Sequence, residues 1–131
     1  MASATSAPPK PRQGEIWYVR LPTDPASYTG RPVVVVSSNA RNMNDRASTV
    51  LVVPLSTTLR DPLAPTNLRL RPGDTGLREQ SELQAGNITT IRKSQLRAPR
   101  ERLRQLSHTI MRKIAARVAI AMDVLVEEIE E

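Results

Sequence analysis

The sequence predicts a mainly β fold with one long C-terminal helix: a small, strongly bent antiparallel sheet or barrel with the helix packed on it. Three observations lead there. Several short runs rich in β-branched residues are separated by clusters of Pro, Gly, Asn, Asp and Ser. One stretch alone, beginning at Ser107, carries apolar residues at helical spacing. The length of 131 residues suits one domain, which can bury a usable core with little margin.

The elements follow in order. Residues 1–12 are small, proline-rich and basic and read as a disordered arm; residues 13–131 read as a single domain. Gln13 to Arg20 contains Ile16, Trp17, Tyr18 and Val19, with strand propensity. In a regular strand Trp17 and Tyr18 face opposite ways, one into the core and one toward a partner. Leu21 to Gly30 is a loop of a length often tied to function. Pro32 opens a strand, and Val33–Val36 reads as buried on both faces. Asn39 to Asp45 is a turn or a short helical excursion. Ser48 to Leu55 is a second apolar strand, ended by Ser56-Thr57-Thr58, and Leu59 to Pro65 is a loop.

Thr66 to Leu70 alternates polar and apolar residues, as a half-exposed strand does. Pro72 to Gly76 is a turn cluster. Ser81 to Ile91 reads as one strand broken near Ala85-Gly86. Gln95–Leu96 and Arg102–Leu106 are weaker strand signals. Ser107 is the expected N-cap of a helix of about five turns. Its stripe runs through Ile110, Ile114, Val118, Ala121 and Leu125, widened by Met111, Ala115, Met122, Val126 and Ile129. The acidic end, Glu127 to Glu131, opposes the helix dipole, so fraying is expected there.

The net charge is +6, unevenly spread. Residues 1–104 hold 16 Lys and Arg against 8 Asp and Glu; residues 105–131 hold 3 against 5. A basic body favours a polyanionic partner. There is no cysteine, which excludes disulfides and thiolate metal sites. No secretory or membrane-spanning apolar stretch is present, and a cytoplasmic protein with no membrane role is expected.

Most catalytic schemes find no residues. His108 is the single histidine and sits where surface residues usually do. No ligand spacing for a metal, glycine-rich phosphate loop or nucleophile elbow is present, so neither metal nor cofactor is expected. Arg31, after the long loop, and the hydroxyls Ser56, Thr57 and Thr58, after another buried strand, share one rim if those strands are neighbours. A guanidinium holds a phosphate and stabilises charge growing on it. A hydroxyl orients a phosphate oxygen or an attacking 2′-hydroxyl. That pair suits RNA transesterification, which requires no metal. With RNA as partner, Ser27, Tyr28 and Thr29 in the loop are candidate contacts, Tyr28 by stacking. Arg60, Arg69 and Arg78 are candidates along a groove, while Arg71, Arg92 and Lys93 read as solvated.

Several motifs together resemble the MazF/PemK (Kid-like) toxins. Gln13-Gly14-Glu15-Ile16-Trp17-Tyr18-Val19 resembles their opening strand. Gly30-Arg31-Pro32-Val33-Val34-Val35-Val36-Ser37-Ser38-Asn39 resembles their "RPVVVLSN" signature. Val52-Val53-Pro54-Leu55-Ser56-Thr57, Gln80–Ile91 and Lys93-Ser94-Gln95-Leu96 are similar to their later segments. The resemblance covers about residues 12–126 and implies an SH3-like barrel with a long C-terminal helix, forming a homodimer. It implies metal-independent, sequence-selective cleavage of single-stranded RNA to 2′,3′-cyclic phosphate and 5′-hydroxyl ends, and a cognate antitoxin as partner. Arg31 matches the family's catalytic arginine, and Ser56 falls on its catalytic threonine with Thr57 next to it.

Three departures stand out. Ser56 is serine, the loop before Arg31 holds no glutamate, and Thr89 stands where many relatives carry arginine. Since guanidinium groups donate and do not accept, the residues leave the general base open. Two alternatives stay in view: a CcdB-like gyrase inhibitor that cuts nothing, and a family member that binds RNA or antitoxin without turnover.

Overall fold

In a computed structural model of the chain, residues 9–21, 24–25, 30–99 and 102–123 are described. The first eight residues of the expected arm lie outside them, as do Ser27, Tyr28, Thr29, Leu125, Val126 and Ile129.

The described residues form seven strands: β1 (Glu15–Val19), β2 (Arg31–Val35), β3 (Thr49–Ser56), β4 (Asn67–Leu70), β5 (Ser81–Gln84), β6 (Thr89–Arg92) and β7 (Arg104–Gln105). Three helices accompany them, α1 (Asn39–Asn42), α2 (Pro72–Thr75) and α3 (His108–Ala121). The sheet runs β4-β5-β3-β2-β1-β7, with β6 also paired to β3, and every pairing is antiparallel.

β3 explains the curl. One edge of it pairs with β2. Its other edge pairs first with β6, through Thr49 to Val52, and then with β5, through Leu55 and Ser56. Pro54 lies where the partner changes. A proline has no N–H for the ladder and is tolerated where pairing is interrupted. The strand thus serves two partners on one edge, and the sheet folds round into a half-barrel that agrees with the SH3-like expectation. The break expected near Ala85-Gly86 is the turn Ala85–Asn87, and it divides Ser81 to Ile91 into two strands, β5 and β6, with separate pairings.

Alternation along the strands feeds two cores. Ile16, Val34, Val53, Leu55 and Leu83 pack with Ile114 of α3. Trp17, Val19, Val33, Val35, Val50, Val52 and Ile91 pack on the other side. Val33, Val34 and Val35 are fully buried because adjacent residues serve different cores. Val36 lies beyond β2 and is only partly buried.

Ser107 caps α3, its hydroxyl accepting from the Ile110 N–H at 3.2 Å, an interaction typically contributing about 1 kcal/mol. The helix is shorter than the stripe suggested. It ends at Ala121, and Asp123 takes a left-handed φ of 64°. Ala115, Ala121 and Met122 are exposed; Ala116 and Ala119 are buried instead. Lys93 is buried rather than solvated: its Nζ donates to the carbonyls of Asn44 at 2.9 Å and Arg41 at 3.3 Å, tying down the end of α1. No helix among the described residues is long and apolar enough to cross a membrane.

Candidate functional site

β2 and β3 are neighbours, and their register settles whether Arg31 and the hydroxyls meet. Val33 pairs with Pro54, so continuing the ladder two residues brings Arg31 level with Ser56. Both line a cavity of about 370 Å³ with Tyr18, Thr57, Thr58, Arg78 and Glu79. Of the residues singled out from sequence, Arg31, Ser56, Thr57 and Arg78 come together here. Arg60 and Arg69 do not line this cavity. They meet each other instead, Arg69 donating through Nη2 to the Arg60 carbonyl.

Gly30 delivers the chain into β2. Its φ of 140° lies in a region that side chains rarely adopt, and Val19 backbone sits 3.8 Å from where a Cβ would stand. Arg31 follows, and Asp24 holds it. The Asp24 carboxylate accepts from Arg31 Nη2 at 2.5 Å and Nε at 3.2 Å, and from the Leu21 N–H at 2.8 Å. The aspartate side chain is 2% exposed and that of the arginine 23%. A buried carboxylate gripping the guanidinium fork fixes its plane and position while leaving part of the arginine open to the cavity. The loop lacks a glutamate, yet it supplies a carboxylate from another position.

Ser56 ends β3, and its Oγ accepts from the Thr58 N–H at 3.1 Å. Serine lacks the methyl that restricts threonine about χ1; here the turn beyond the strand holds the oxygen in place. That turn is in turn anchored by Glu82, which is fully buried and pairs with Ser56 across β3 and β5. Glu82 accepts from the Arg60 N–H at 2.8 Å and from Asn67 Nδ2 at 2.7 Å.

Sequence reasoning did not assign Tyr18, Asp24, Glu79 or Glu82 to the site. Tyr18 carried a signal, since Trp17 enters the core and the adjacent residue must face away from it. The two acidic partners, Asp24 and Glu82, carried none, because their donors are remote or set by loop geometry. Among the described residues no three His, Cys, Asp or Glu side chains cluster to hold a metal.

A family model described as PemK-like, MazF-like toxin of type II toxin-antitoxin system matches residues 12–122. The chain belongs to this toxin family. Solved structures agree with the assignment. An endoribonuclease from Mycobacterial species, in complex with its cognate antitoxin, is 29% identical, with a TM-score of 0.67 over 86% of this chain and 95% of that one. A second endoribonuclease from Mycobacterial species is 28% identical, with a TM-score of 0.67 over 88% and 94%. The Mycobacterium tuberculosis toxin MazF-mt6, at 21% identity and a TM-score of 0.63 over 83% and 96%, shares the fold. No curated protein sequence matches. The PemK/MazF match gives the gyrase-inhibitor alternative no support.

Proposed function

We propose that this PemK/MazF-family toxin is an endoribonuclease that cuts single-stranded RNA by attack of a 2′-hydroxyl on the adjacent phosphodiester. The observation carrying the reading is that Arg31 and Ser56 line one cavity from adjacent strands. Arg31 stabilises the negative charge that grows on the phosphate oxygens as the fifth bond to phosphorus forms. Ser56, held by the Thr58 N–H, orients a phosphate oxygen or the 2′-hydroxyl. Glu79 is the cavity's carboxylate among the described residues and takes the 2′-hydroxyl proton. The bond from phosphorus to the 5′-oxygen breaks, and that oxygen gains a proton from solvent at the cavity mouth. The products are a 2′,3′-cyclic phosphate and a 5′-hydroxyl, with no metal needed in any step. Asp24 is too buried to take part in proton transfer and acts as a positioning residue for Arg31.

The partners of this reading are RNA, a cognate antitoxin and a second copy of the chain in a homodimer; the compartment is the cytoplasm. One mycobacterial relative is seen with its cognate antitoxin, which supports the antitoxin.

Primer-extension mapping on a long RNA in EDTA tests the reading. The wild type is expected to leave defined cuts with 5′-hydroxyl ends. Ser56→Ala and Glu79→Gln should each slow cutting by about 10²-fold, and Thr57→Ala by much less. An intact RNA after prolonged incubation with the wild type, across a broad panel of sequences, would sink it in favour of binding without turnover.

A further inference from the structure

A second and larger cleft, of about 560 Å³, adjoins the first. The two share Tyr18, Leu77 and Arg78 in their walls. Beyond that common wall the cleft is lined by Arg97, Arg102 and Arg104, and its described lining includes no carboxylate. None of these arginines takes part in an ion pair among the described residues. Arg97, Arg102 and Arg104 are exposed.

The fold brings them together deliberately enough to require explanation. Arg97 is placed by a backbone pairing with Tyr18, its N–H donating to the Tyr18 carbonyl at 2.9 Å. Arg104 is placed by the pairing of β7 with Ile16. Its side chain lies across Gly76, where a Cβ would stand 2.6 Å from Nε. Like charges gathered without counter-charges repel one another and are relieved by a polyanion.

We propose that this arginine cleft binds phosphodiesters of the RNA strand next to the one being cut. The proposal rests on the endoribonuclease reading for its choice of polyanion. The shared wall at Tyr18 and Arg78 lets one strand run from the cutting cavity into the cleft. Phosphate contacts there set register and affinity without reading bases.

The test compares the full wild-type chain with R97Q/R102Q/R104Q. The probe is a labelled single-stranded RNA, long enough to span both cavities, with every 2′-hydroxyl methylated so that it cannot be cut. Binding is measured across a salt series. The variant is expected to bind at least about tenfold more weakly, with a slope of log K against log salt shallower by about two, at about 0.7 per single-strand phosphate contact. Its melting temperature should match the wild type, because the three side chains are exposed. On cuttable substrates the variant should raise KM for long RNA, leave kcat unchanged, and cut a dinucleotide as the wild type does.

An unchanged salt slope and affinity overturns the proposal. So does a variant that keeps RNA binding but loses binding to an acidic peptide, which would assign the cleft to a protein partner. The binding assay does not depend on cutting. A wild type that binds through these arginines but never cleaves sinks the endoribonuclease reading alone. One that cleaves with equal KM in both forms sinks the cleft alone.

Discussion

Arg31→Lys is expected to lower the rate of RNA cleavage by about 10²–10³-fold while the protein melts close to the wild type. Lysine keeps a positive charge for Asp24 but loses the planar fork that can grip a carboxylate and face a phosphate together. The loss should fall on kcat, because the stabilised charge grows only in the transition state. Single-turnover kinetics beside a thermal melt checks both halves. Arg31→Ala is a less informative variant than Arg31→Lys. It strands the Asp24 carboxylate, whose side chain is 2% exposed. Removing one partner of such a pair costs about 3–5 kcal/mol, a large share of the roughly 5–15 kcal/mol that holds a domain together. Lost activity in Arg31→Ala would therefore mix chemistry with unfolding. A fully active Arg31→Lys would remove Arg31 from the mechanism.

The second large effect is expected at Glu82. Glu82→Ala leaves the Arg60 N–H and Asn67 Nδ2 without their acceptor. The Asn67 donor is buried, and leaving it unpaired costs about 1–3 kcal/mol. The Arg60 N–H is only part-buried and can turn to water at less cost, so the variant should lose about 2–4 kcal/mol. Urea denaturation measures it. Glu82→Gln should cost much less: its carbonyl still accepts from Arg60, and a flip of the Asn67 amide lets the new N–H₂ donate. If Gln proves as damaging as Ala, the carboxylate's charge matters beyond its two hydrogen bonds, and this account of Glu82 is wrong. The site should respond as well, since Glu82 pairs with Ser56 and ties down the chain at Arg60. Any Glu82→Ala protein that remains folded is expected to cut more slowly.

How much of this was legible beforehand depends on the range of the interaction. The strands around Ile16, Val34 and Val52 could be read because side-chain alternation and β propensity are local. Ser107 could be read as a cap for the same reason: its acceptor serves a donor three residues on. The end of α3 could not. The apolar stripe continues past Ala121, but the backbone turns left-handed at Asp123, and spacing alone does not register such a turn. The break in Ser81 to Ile91 was legible from Ala85-Gly86 and falls there; that it divides the segment into two strands with separate pairings was not. β5 and β6 separate because β3 presents them with different stretches of one edge, a constraint set by a strand far away in the chain.

By itself, the sequence determined the fold class, the family and the identity of Arg31 and Ser56 as a guanidinium and a hydroxyl worth pairing. Each of these rests on residue type, order and short-range spacing. Only the tertiary structure decided that the two share a cavity, since this depends on the register of β2 against β3. It alone supplied Asp24 and Glu82 as buried carboxylates and gathered Arg97, Arg102 and Arg104 into a cleft beside the site. Burial, ion pairing and charge clustering are relations between distant residues, and they exist only once the chain has closed on itself.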